Sequence, residues 1–182
     1  YSNGVETRKT PLGGFEAGSL AVVRSATGQA LGAAYVNPHS LICARLLSRR
    51  PRTTFDTGFF ERYISSALRL RESLFKRPFY RMVFGESDFL PGLVVDRYDD
   101  VLVVQITTAG MESLSTEILE ELPQLVSPAG ILFLNDNPVL HLGGLAETTE
   151  VIGVVPGRSN CVDDGARLVI PLCSGQQPGC VL

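Results

Sequence analysis

Residues 84–98, FGESDFLPGLVVDRY, join a run of turn-forming residues to a run of apolar residues. Glycine, serine, aspartate and proline in the first half favour tight turns, because they adopt turn dihedral angles or bond to their own backbone. The valines that follow favour a β-strand. Apolar runs at residues 80–84 and 101–106, the second after an acidic Asp99-Asp100 turn, extend the pattern in both directions. Strands joined by tight turns are therefore predicted for the middle of the chain.

Helical periodicity lies on both sides of these strands. Asp56 can cap a helix in which apolar residues recur every three or four positions, namely Phe59, Phe60, Tyr63, Ile64, Ala67, Leu68 and Leu74. Residues 111–122 predict a second helix that Pro123 ends, and residues 129–134 predict another strand. A compact α+β domain is therefore expected over residues 52–150.

Short apolar runs separated by turn-forming residues occupy the first fifty positions. Residues 19–23, 30–36 and 41–47 predict strands, with a turn around Pro38 before the last of them. This pattern is typical of a small β-barrel or sandwich, and residues 49–52, RRPR, predict a linker after it.

The other end of the chain predicts further strands. Residues 151–155 predict a short strand, and residues 161–170 predict a hairpin around an Asp-Gly turn. An apolar hairpin of this kind usually belongs to a larger body that supplies its partner surface.

The composition bounds the class of protein. With 182 residues, 45% of them hydrophobic, the chain can bury a core. No apolar run approaches the roughly 18 residues that a membrane-spanning helix needs, so we expect a soluble protein without a membrane partner. The four cysteines form no C-x-x-C pair, and we expect free thiols in a reducing cytoplasm rather than a metal site or disulfides.

Basic residues are concentrated in one part of the chain. The net charge of -3 argues against a uniformly basic nucleic-acid binder. Between residues 41 and 81, however, ten Lys or Arg residues face three Asp or Glu residues, a net charge of +7, so the remainder carries -10. This segregation indicates a local surface for an anionic partner.

Five segments resemble the ribosomal RNA large subunit methyltransferase I family. Residues 84–98 are similar to its G-E-x-D-x-L-P-G-L-x-V-D-R-Y segment, and residues 35–40, YVNPHS, with 45–49, RLLSR, resemble the end of its N-terminal PUA domain, a small RNA-binding barrel. Residues 135–138, NDNP, resemble its N-D-S-P, and residues 174–179, SGQQPG, resemble the G-G-Q-K-T-G that leads into its methyltransferase domain.

The resemblance implies an α+β fold in three parts. These are a PUA-like RNA-binding β-barrel over residues 1–51, a central α+β domain over 52–150, and the starting β-hairpin of a Rossmann-like methyltransferase domain over 151–182. It also implies a cytoplasmic, homodimeric enzyme that transfers a methyl group from S-adenosylmethionine to carbon 5 of a cytosine in 23S rRNA. Gln176 and Gly179 would lie near that cofactor. The chain departs from the family in having Gln177 and Pro178 in place of Lys-Thr, and in starting part-way into the PUA barrel, which is expected to lack its first strand.

No catalytic residue is expected within these 182 positions. Methylation of carbon 5 of a pyrimidine needs a thiolate that attacks carbon 6 and a base that removes the proton. The four cysteines have no such setting and are predicted to be small buried hydrophobes: Cys43, Cys161, Cys173 and Cys180. By the resemblance, the glycine-rich cofactor loop and the Pro-Cys nucleophile lie beyond Leu182. This piece alone is therefore expected to be inactive and to hold no tightly bound S-adenosylmethionine.

RNA binding is the activity that the piece could retain. Arginines pair with phosphates and stack on unpaired bases. The predicted RNA contacts are Arg45, Arg49, Arg50, Arg52, Lys76 and Arg77. For Arg62, Arg69 and Arg71, on the predicted helix, a solvated charged face and an RNA contact remain equally open.

Two other interpretations also remain open. One is a stand-alone RNA-binding or dimerisation adaptor with no catalysis of its own. A small-molecule enzyme would use the carboxylates of Glu86, Asp88 and Asp96, although these residues more readily fix turns, and Asp96 can pair with the adjacent Arg97. His39 is expected to be a turn residue rather than a base or a ligand.

Overall fold

The structure, a computed structural model, describes residues 11–135, 148–163 and 166–172. Its elements, in chain order, are β1 (Leu20–Arg24), β2 (Ala30–Val36), β3 (Ala44–Ser48), α1 (Thr57–Leu74), β4 (Phe79–Phe84), β5 (Leu93–Tyr98), β6 (Val101–Ile106), α2 (Ala109–Glu112), α3 (Ser115–Val126), β7 (Gly130–Asn135), β8 (Thr148–Gly153), β9 (Arg158–Asp163) and β10 (Ala166–Pro171). Short 3-10 helices occupy Leu12–Gly14 and Gly85–Asp88.

The strands form three sheets. β1, β2 and β3 make an antiparallel sheet, and β4 to β8 make a five-stranded sheet in sequential order. Within the larger sheet only β6 and β7 run parallel, with α2 and α3 forming the crossover between them, and β9 pairs with β10. The predicted α+β class is therefore confirmed.

Helix α1 begins where its sequence predicts. The Asp56 carboxylate accepts a hydrogen bond from the Phe59 N–H at 3.0 Å, which satisfies a donor that the first helical turn leaves free. Phe60 and Ile64 are fully buried, whereas Leu74, the last of the apolar residues in the helical pattern, is 67% exposed. Leu74 follows Leu68 by six residues, which turns it about 120° away from the buried face.

The second predicted helix also differs from its sequence interpretation. It is split into α2 and α3, and Pro123 lies inside α3, which continues to Val126. A proline removes one N–H donor, but the buried Ile118 and Leu122 before it and the partly buried Leu125 and Val126 after it pack against the core. Ser127 then ends the helix in the left-handed conformation, with its N–H bonded to the Pro123 carbonyl.

One hydrophobic core joins the first sheet to α1 and the five-stranded sheet. Tyr35 of β2 is 1% exposed, and its hydroxyl donates to the Pro91 carbonyl at 3.0 Å. Gly110 of α2 lies directly against the Tyr35 ring, where a Cβ atom would come within 1.9 Å of Cγ. Residues on both sides of the predicted boundary at residue 51 therefore share a core.

The terminal hairpin matches the predicted pairing. Asp163 lies opposite Ala166, and residues 164 and 165 between them are outside the described residues. Leu172, just after β10, is 1% exposed and packs with Tyr98, Val103 and Leu132. These residues alternate along their strands with those of the main core, so the end of the hairpin covers the other face of the five-stranded sheet.

Candidate nucleic-acid interface

A cleft of about 1050 Å³ opens between the first sheet and the start of α1. Its walls are β3 with the following residues 49–54, the first two turns of α1, and the segment 86–91 after β4. Five arginines line it: Arg45, Arg49, Arg50, Arg52 and Arg62. Two stretches that are apart in sequence, residues 45–63 and 86–91, therefore meet at one basic surface.

Four of the six predicted RNA contacts line this cleft, and two do not. Arg45, Arg49, Arg50 and Arg52 are in its wall. Lys76 and Arg77 follow the other end of α1, and an 18-residue helix is about 27 Å long. The structure thus separates the predicted contacts into a cleft group and a remote pair. Arg62, which the sequence left undecided, belongs with the cleft group.

The predicted linker is a hydrogen-bonded turn. The Ser48 hydroxyl accepts from the Arg50 N–H at 3.0 Å and from the Thr53 hydroxyl at 2.7 Å. The Thr53 hydroxyl also lies 2.9 Å from the Arg50 carbonyl oxygen. These bonds fix the backbone while the side chains of Arg49, Arg50 and Arg52 remain exposed to the cleft.

Arg45 has an unused donor in the cleft wall. Its side chain is 17% exposed, and its Nε is enclosed without a hydrogen bond to any described residue. The Glu86 carboxylate lies 3.9 Å from that Nε, which is too far for a hydrogen bond. An enclosed N–H without a hydrogen-bond partner destabilises the fold. The Arg45 Nε is therefore suited to donate a hydrogen bond to an acceptor on a bound ligand.

A row of aromatic rings runs from the core to the mouth of the cleft. Ring centroids are 4.9 Å apart for Phe55 and Phe59, 4.8 Å for Phe59 and Tyr63, and 6.1 Å for Tyr63 and Phe89. Phe55 and Phe59 are buried, whereas Phe89 is 68% exposed. Phe89 was not predicted as a site residue, although a phenylalanine within a turn rich in glycine and aspartate is an unusual placement that could have singled it out.

The remaining carboxylates of the 84–98 segment are structural. Asp88 is clamped by Arg71 of α1 at 2.6 and 2.7 Å and accepts the Phe84 N–H. Asp96 is clamped by Arg81, and the expected pairing of Asp96 with Arg97 is wrong. Of the three carboxylates considered for a small-molecule enzyme, Glu86 is the one that lines the cleft.

Strand geometry explains the different partner of Asp96. Adjacent strand residues point to opposite sides, so Asp96 and Arg97 cannot face each other, whereas Arg81 lies directly across from Asp96 in the β4–β5 register. Arg97 instead donates to the Tyr80 hydroxyl at 3.2 Å. Burial raises the pKa of the Asp96 carboxyl above its usual value, and the hydrogen bond from Arg81 opposes that rise.

The described residues do not form a cofactor site. Gln176 and Gly179, predicted to lie near S-adenosylmethionine, are outside them. The two strand-to-helix junctions that the structure describes, β3 to α1 and β6 to α2, carry no glycine-rich turn, and Gly110 at the second is covered by Tyr35. The part of the chain described therefore does not fit an S-adenosylmethionine site.

Other predicted site features have plain structural roles. Cys43 is buried at 3% exposure, and the side chains of the other three cysteines are not among those described. The His39 N–H donates to the Asn37 side-chain oxygen, which makes His39 a turn residue. No cluster of three potential metal ligands and no helix able to cross a membrane occurs within the described ranges.

Comparison with known proteins places the first sheet and the whole chain in context. Residues 1–49 match a PUA-like domain. The chain is 33% identical over 156 residues to the ribosomal RNA large subunit methyltransferase I of Alteromonas mediterranea, covering 84% of this chain and 39% of that protein. It is also 33% identical over 170 residues to the protein of the same name from Tolumonas auensis, covering 90% and 43%. The chain thus spans about two fifths of the length of these relatives.

Solved structures share the fold at low identity. A protein from Streptococcus mutans described as a SAM-dependent methyltransferase matches with a TM-score of 0.74 and 14% identity, over 89% of this chain and 42% of its own. A methyltransferase solved in complex with SAH matches equally well in TM-score at 15% identity, over 88% of this chain and 41% of its own.

Proposed function

Because the chain is a relative of the ribosomal RNA large subunit methyltransferase I proteins over most of its own length, we propose that it is the RNA-recognition part of an rRNA methyltransferase. The proposed substrate is 23S rRNA, and the proposed product is cytosine methylated at carbon 5. S-adenosylmethionine supplies the methyl group in such a reaction. The site for that cofactor is assigned outside the described residues, whose proposed role is to bind the RNA. The proposed setting is the cytoplasm, and the proposed assembly is a homodimer.

The arginine-lined cleft carries this proposal. Five arginines share its lining with three carboxylates, those of Asp56, Glu61 and Glu86. The net charge of the lining is therefore +2 in a chain whose net charge is -3. Asp56 is also engaged as the cap of α1, so it opposes a bound anion less than a free carboxylate would. Arginine forks bind phosphate oxygens in pairs, which suits this surface to a nucleic-acid backbone.

The position of the cleft also supports the proposal. It lies along β3, the strand at the end of the PUA-like match, and its other wall is the start of α1, which contributes Arg62. Lys76 and Arg77, at the far end of α1, are proposed to contact a more distant part of the same RNA. The cleft group and the remote pair together would bind a strand that runs along the helix.

Fluorescence anisotropy with a labelled 23S rRNA fragment tests the proposal. The wild-type chain should bind the RNA more tightly than a DNA duplex of equal length, and the affinity should fall as salt rises. Replacing Arg49, Arg50 and Arg52 by Ala should lower the slope of log affinity against log salt by about 2, since each phosphate contact with a single strand contributes roughly 0.7.

A charge-matched variant provides the control. Arg24 and Arg158 are exposed and lie outside both the cleft lining and α1. Replacing these two by Ala should leave the salt slope nearly unchanged, whereas replacing Arg49 and Arg52 by Ala removes the same charge and should lower the slope. Equal losses in both double variants would contradict a specific role for the cleft.

Catalytic inactivity of this piece is a separate part of the proposal. The 182-residue chain, incubated with tritiated S-adenosylmethionine and 23S rRNA, should transfer no label. Label in the RNA would show that the chain itself holds a complete methyl-transfer site, and it would also exclude the adaptor alternative.

A further inference from the structure

We infer that the cleft holds an unpaired RNA nucleotide, with its phosphate on Arg45 and its base stacked on Phe89. This inference rests on the proposed function and narrows it, because it names single-stranded RNA as the ligand and assigns two contacts within the cleft. Two independent observations lead to it, one for each part of the nucleotide.

The first observation is the conformation and exposure of Phe89. Its φ angle is +62°, in the left-handed region that bulky side chains rarely occupy, yet its ring is 68% exposed. An exposed phenylalanine side chain contributes little hydrophobic stabilisation to the fold. Packing of the Phe89 ring therefore does not offset the cost of its strained backbone. Strained residues are often retained where they serve a binding site.

The surrounding turn holds Phe89 in this position. Its N–H bonds to the Glu86 carbonyl at 3.1 Å, and the Leu90 N–H bonds to the Gly85 carbonyl at 3.0 Å. Leu90 is fully buried, and Asp88 is clamped by Arg71. The chain on both sides of Phe89 is therefore anchored, and the ring is presented to the cleft on a rigid support.

The second observation is the unused donor of Arg45. Its Nε is enclosed in the cleft wall without a hydrogen bond, and the nearest carboxylate, Glu86, is half-exposed and 3.9 Å away. A phosphate oxygen could bond to this Nε where Glu86 does not. The Glu86 side chain is free to move towards solvent as the phosphate enters.

The two contacts together select an unpaired nucleotide. In a duplex both faces of each base are covered by neighbouring bases, so stacking on a protein ring requires an unstacked base. The cleft volume of about 1050 Å³ is close to the upper end of small-molecule pockets, roughly 300–1,000 Å³, which suits one or two nucleotides. A flat basic surface without an aromatic ring would not make this selection.

The test uses a twelve-nucleotide single-stranded RNA with one central 2-aminopurine, whose fluorescence falls when the base stacks. The wild-type chain should bind this strand more tightly than the same strand in a duplex and should quench its fluorescence. Phe89→Gly and Phe89→Leu should weaken binding by about fivefold or more and abolish the quenching, because stacking on an aromatic ring is lost. Phe89→Tyr should retain both signals.

Three further measurements separate binding from folding and test the contact at Arg45. Phe89→Gly should raise Tm by a few degrees, since glycine accepts the left-handed conformation without strain. Phe75→Leu is the matched control, because Phe75 is 42% exposed at the far end of α1 and outside the cleft lining, and it should leave both RNA signals unchanged. Glu86→Gln should tighten binding a few-fold by removing an anion from beside Arg45.

The outcomes distinguish this inference from the proposed function. If Phe89→Gly binds the RNA as tightly as the wild type does, the inference is overturned, but the proposal that the cleft binds RNA is not. A Phe89→Gly variant with lower Tm and lower affinity together would also overturn it, since Phe89 would then act through stability. Absence of any wild-type RNA binding at low salt would overturn the proposed function, and the inference with it.

Discussion

Arg71 and Asp88 form a two-pronged ion pair between the last turn of α1 and the turn after β4. Nη1 lies 2.6 Å from Oδ1, and Nη2 lies 2.7 Å from Oδ2. Both side chains are largely buried, with exposures of 13% and 7%. Asp88 also accepts the Phe84 N–H, and the Arg71 Nε donates to the Arg81 carbonyl. This pair therefore holds in place the turn that carries Glu86 and Phe89.

Replacing Asp88 by Ala should destabilise the fold by about 3 kcal/mol, because a buried guanidinium and a backbone N–H both lose their acceptor. Urea unfolding of the two proteins measures the difference. Glu72→Ala provides the control, since Glu72 is 54% exposed and its oxygen is 3.7 Å from Arg97. That exposed contact should contribute less than about 1 kcal/mol. A Glu72→Ala loss equal to that of Asp88→Ala would contradict the special role of the buried pair.

The stability of the chain should depend on the ionisation of Asp96. Burial raises the pKa of this carboxyl above its usual 3.8, with Arg81 opposing the rise. Below pH 3.8 the group is protonated in both the folded and the unfolded chain. As pH increases from 3.8 through the raised folded pKa, the unfolded chain releases its proton first, so this group's contribution to stability is lost.

Comparison with Asp96→Asn isolates this effect from the other carboxylates. The free energy of unfolding of the wild type, minus that of Asp96→Asn, should fall as pH rises through that window, as measured by urea unfolding across pH. Asp100→Asn, at an exposed turn position, removes one carboxylate elsewhere in the chain and is measured alongside as the matched variant. If that difference in unfolding free energy instead rose with pH over the same window, the ion pair with Arg81 would outweigh the effect of burial on Asp96.

Local elements could be predicted from the sequence because their causes are local. The Asp56 cap and the turn formers of residues 84–98 act on their immediate neighbours, and both are found as expected. Arg71 and Asp88 are 17 residues apart, and nothing in either local pattern indicates that they meet. The ion-pair partner of Asp96 is set by the register between β4 and β5. That register includes an irregularity between Arg81 and Val83.

The candidate site was predictable only in part for the same reason. Arg49, Arg50 and Arg52 are clustered in sequence, so their grouping was visible there. The cleft itself needs β3, α1 and the 86–91 segment to meet, which is a tertiary relationship. The exposure of Phe89 and its left-handed backbone likewise follow from the packing of its neighbours rather than from residue type.

The separation of Lys76 and Arg77 from the cleft predicts a dependence on RNA length. An 18-residue α1, about 27 Å long, lies between the two groups, so a tetranucleotide seated in the cleft should not reach the remote pair. Replacing Lys76 and Arg77 by Ala should therefore leave tetranucleotide affinity unchanged and weaken binding of a sixteen-nucleotide strand. The Arg49, Arg50 and Arg52 variant should weaken binding of both strands. If the remote pair has no effect at either length, these two residues are not RNA contacts.

The contact between Gly110 and Tyr35 predicts that the first sheet and the rest of the chain unfold together. An alanine Cβ at position 110 would lie 1.9 Å from the Tyr35 Cγ and 2.1 Å from Cδ2. The ring cannot easily move aside, because Tyr35 is buried and its hydroxyl is bonded to the Pro91 carbonyl. Gly110→Ala should therefore cost about 3 kcal/mol in urea unfolding, at the upper end for overpacking of a core. Amide hydrogen exchange should accelerate in β2 and β6 alike.

A double-variant cycle assigns this cost to the Tyr35 side chain. The added Cβ would also lie 2.5 Å from the Tyr35 Cβ, so the background variant is Tyr35→Gly, which removes both that atom and the ring. Gly110→Ala should lose most of its effect there, because the two residues are in direct contact and their free energies are not additive. Gly13→Ala is the control, since no atom lies within 4 Å of its added Cβ and it should change stability little. Exchange that accelerates in β2 while β6 stays protected would mean that the two sheets unfold independently. A boundary near residue 51 would then separate two folding units in spite of their shared core.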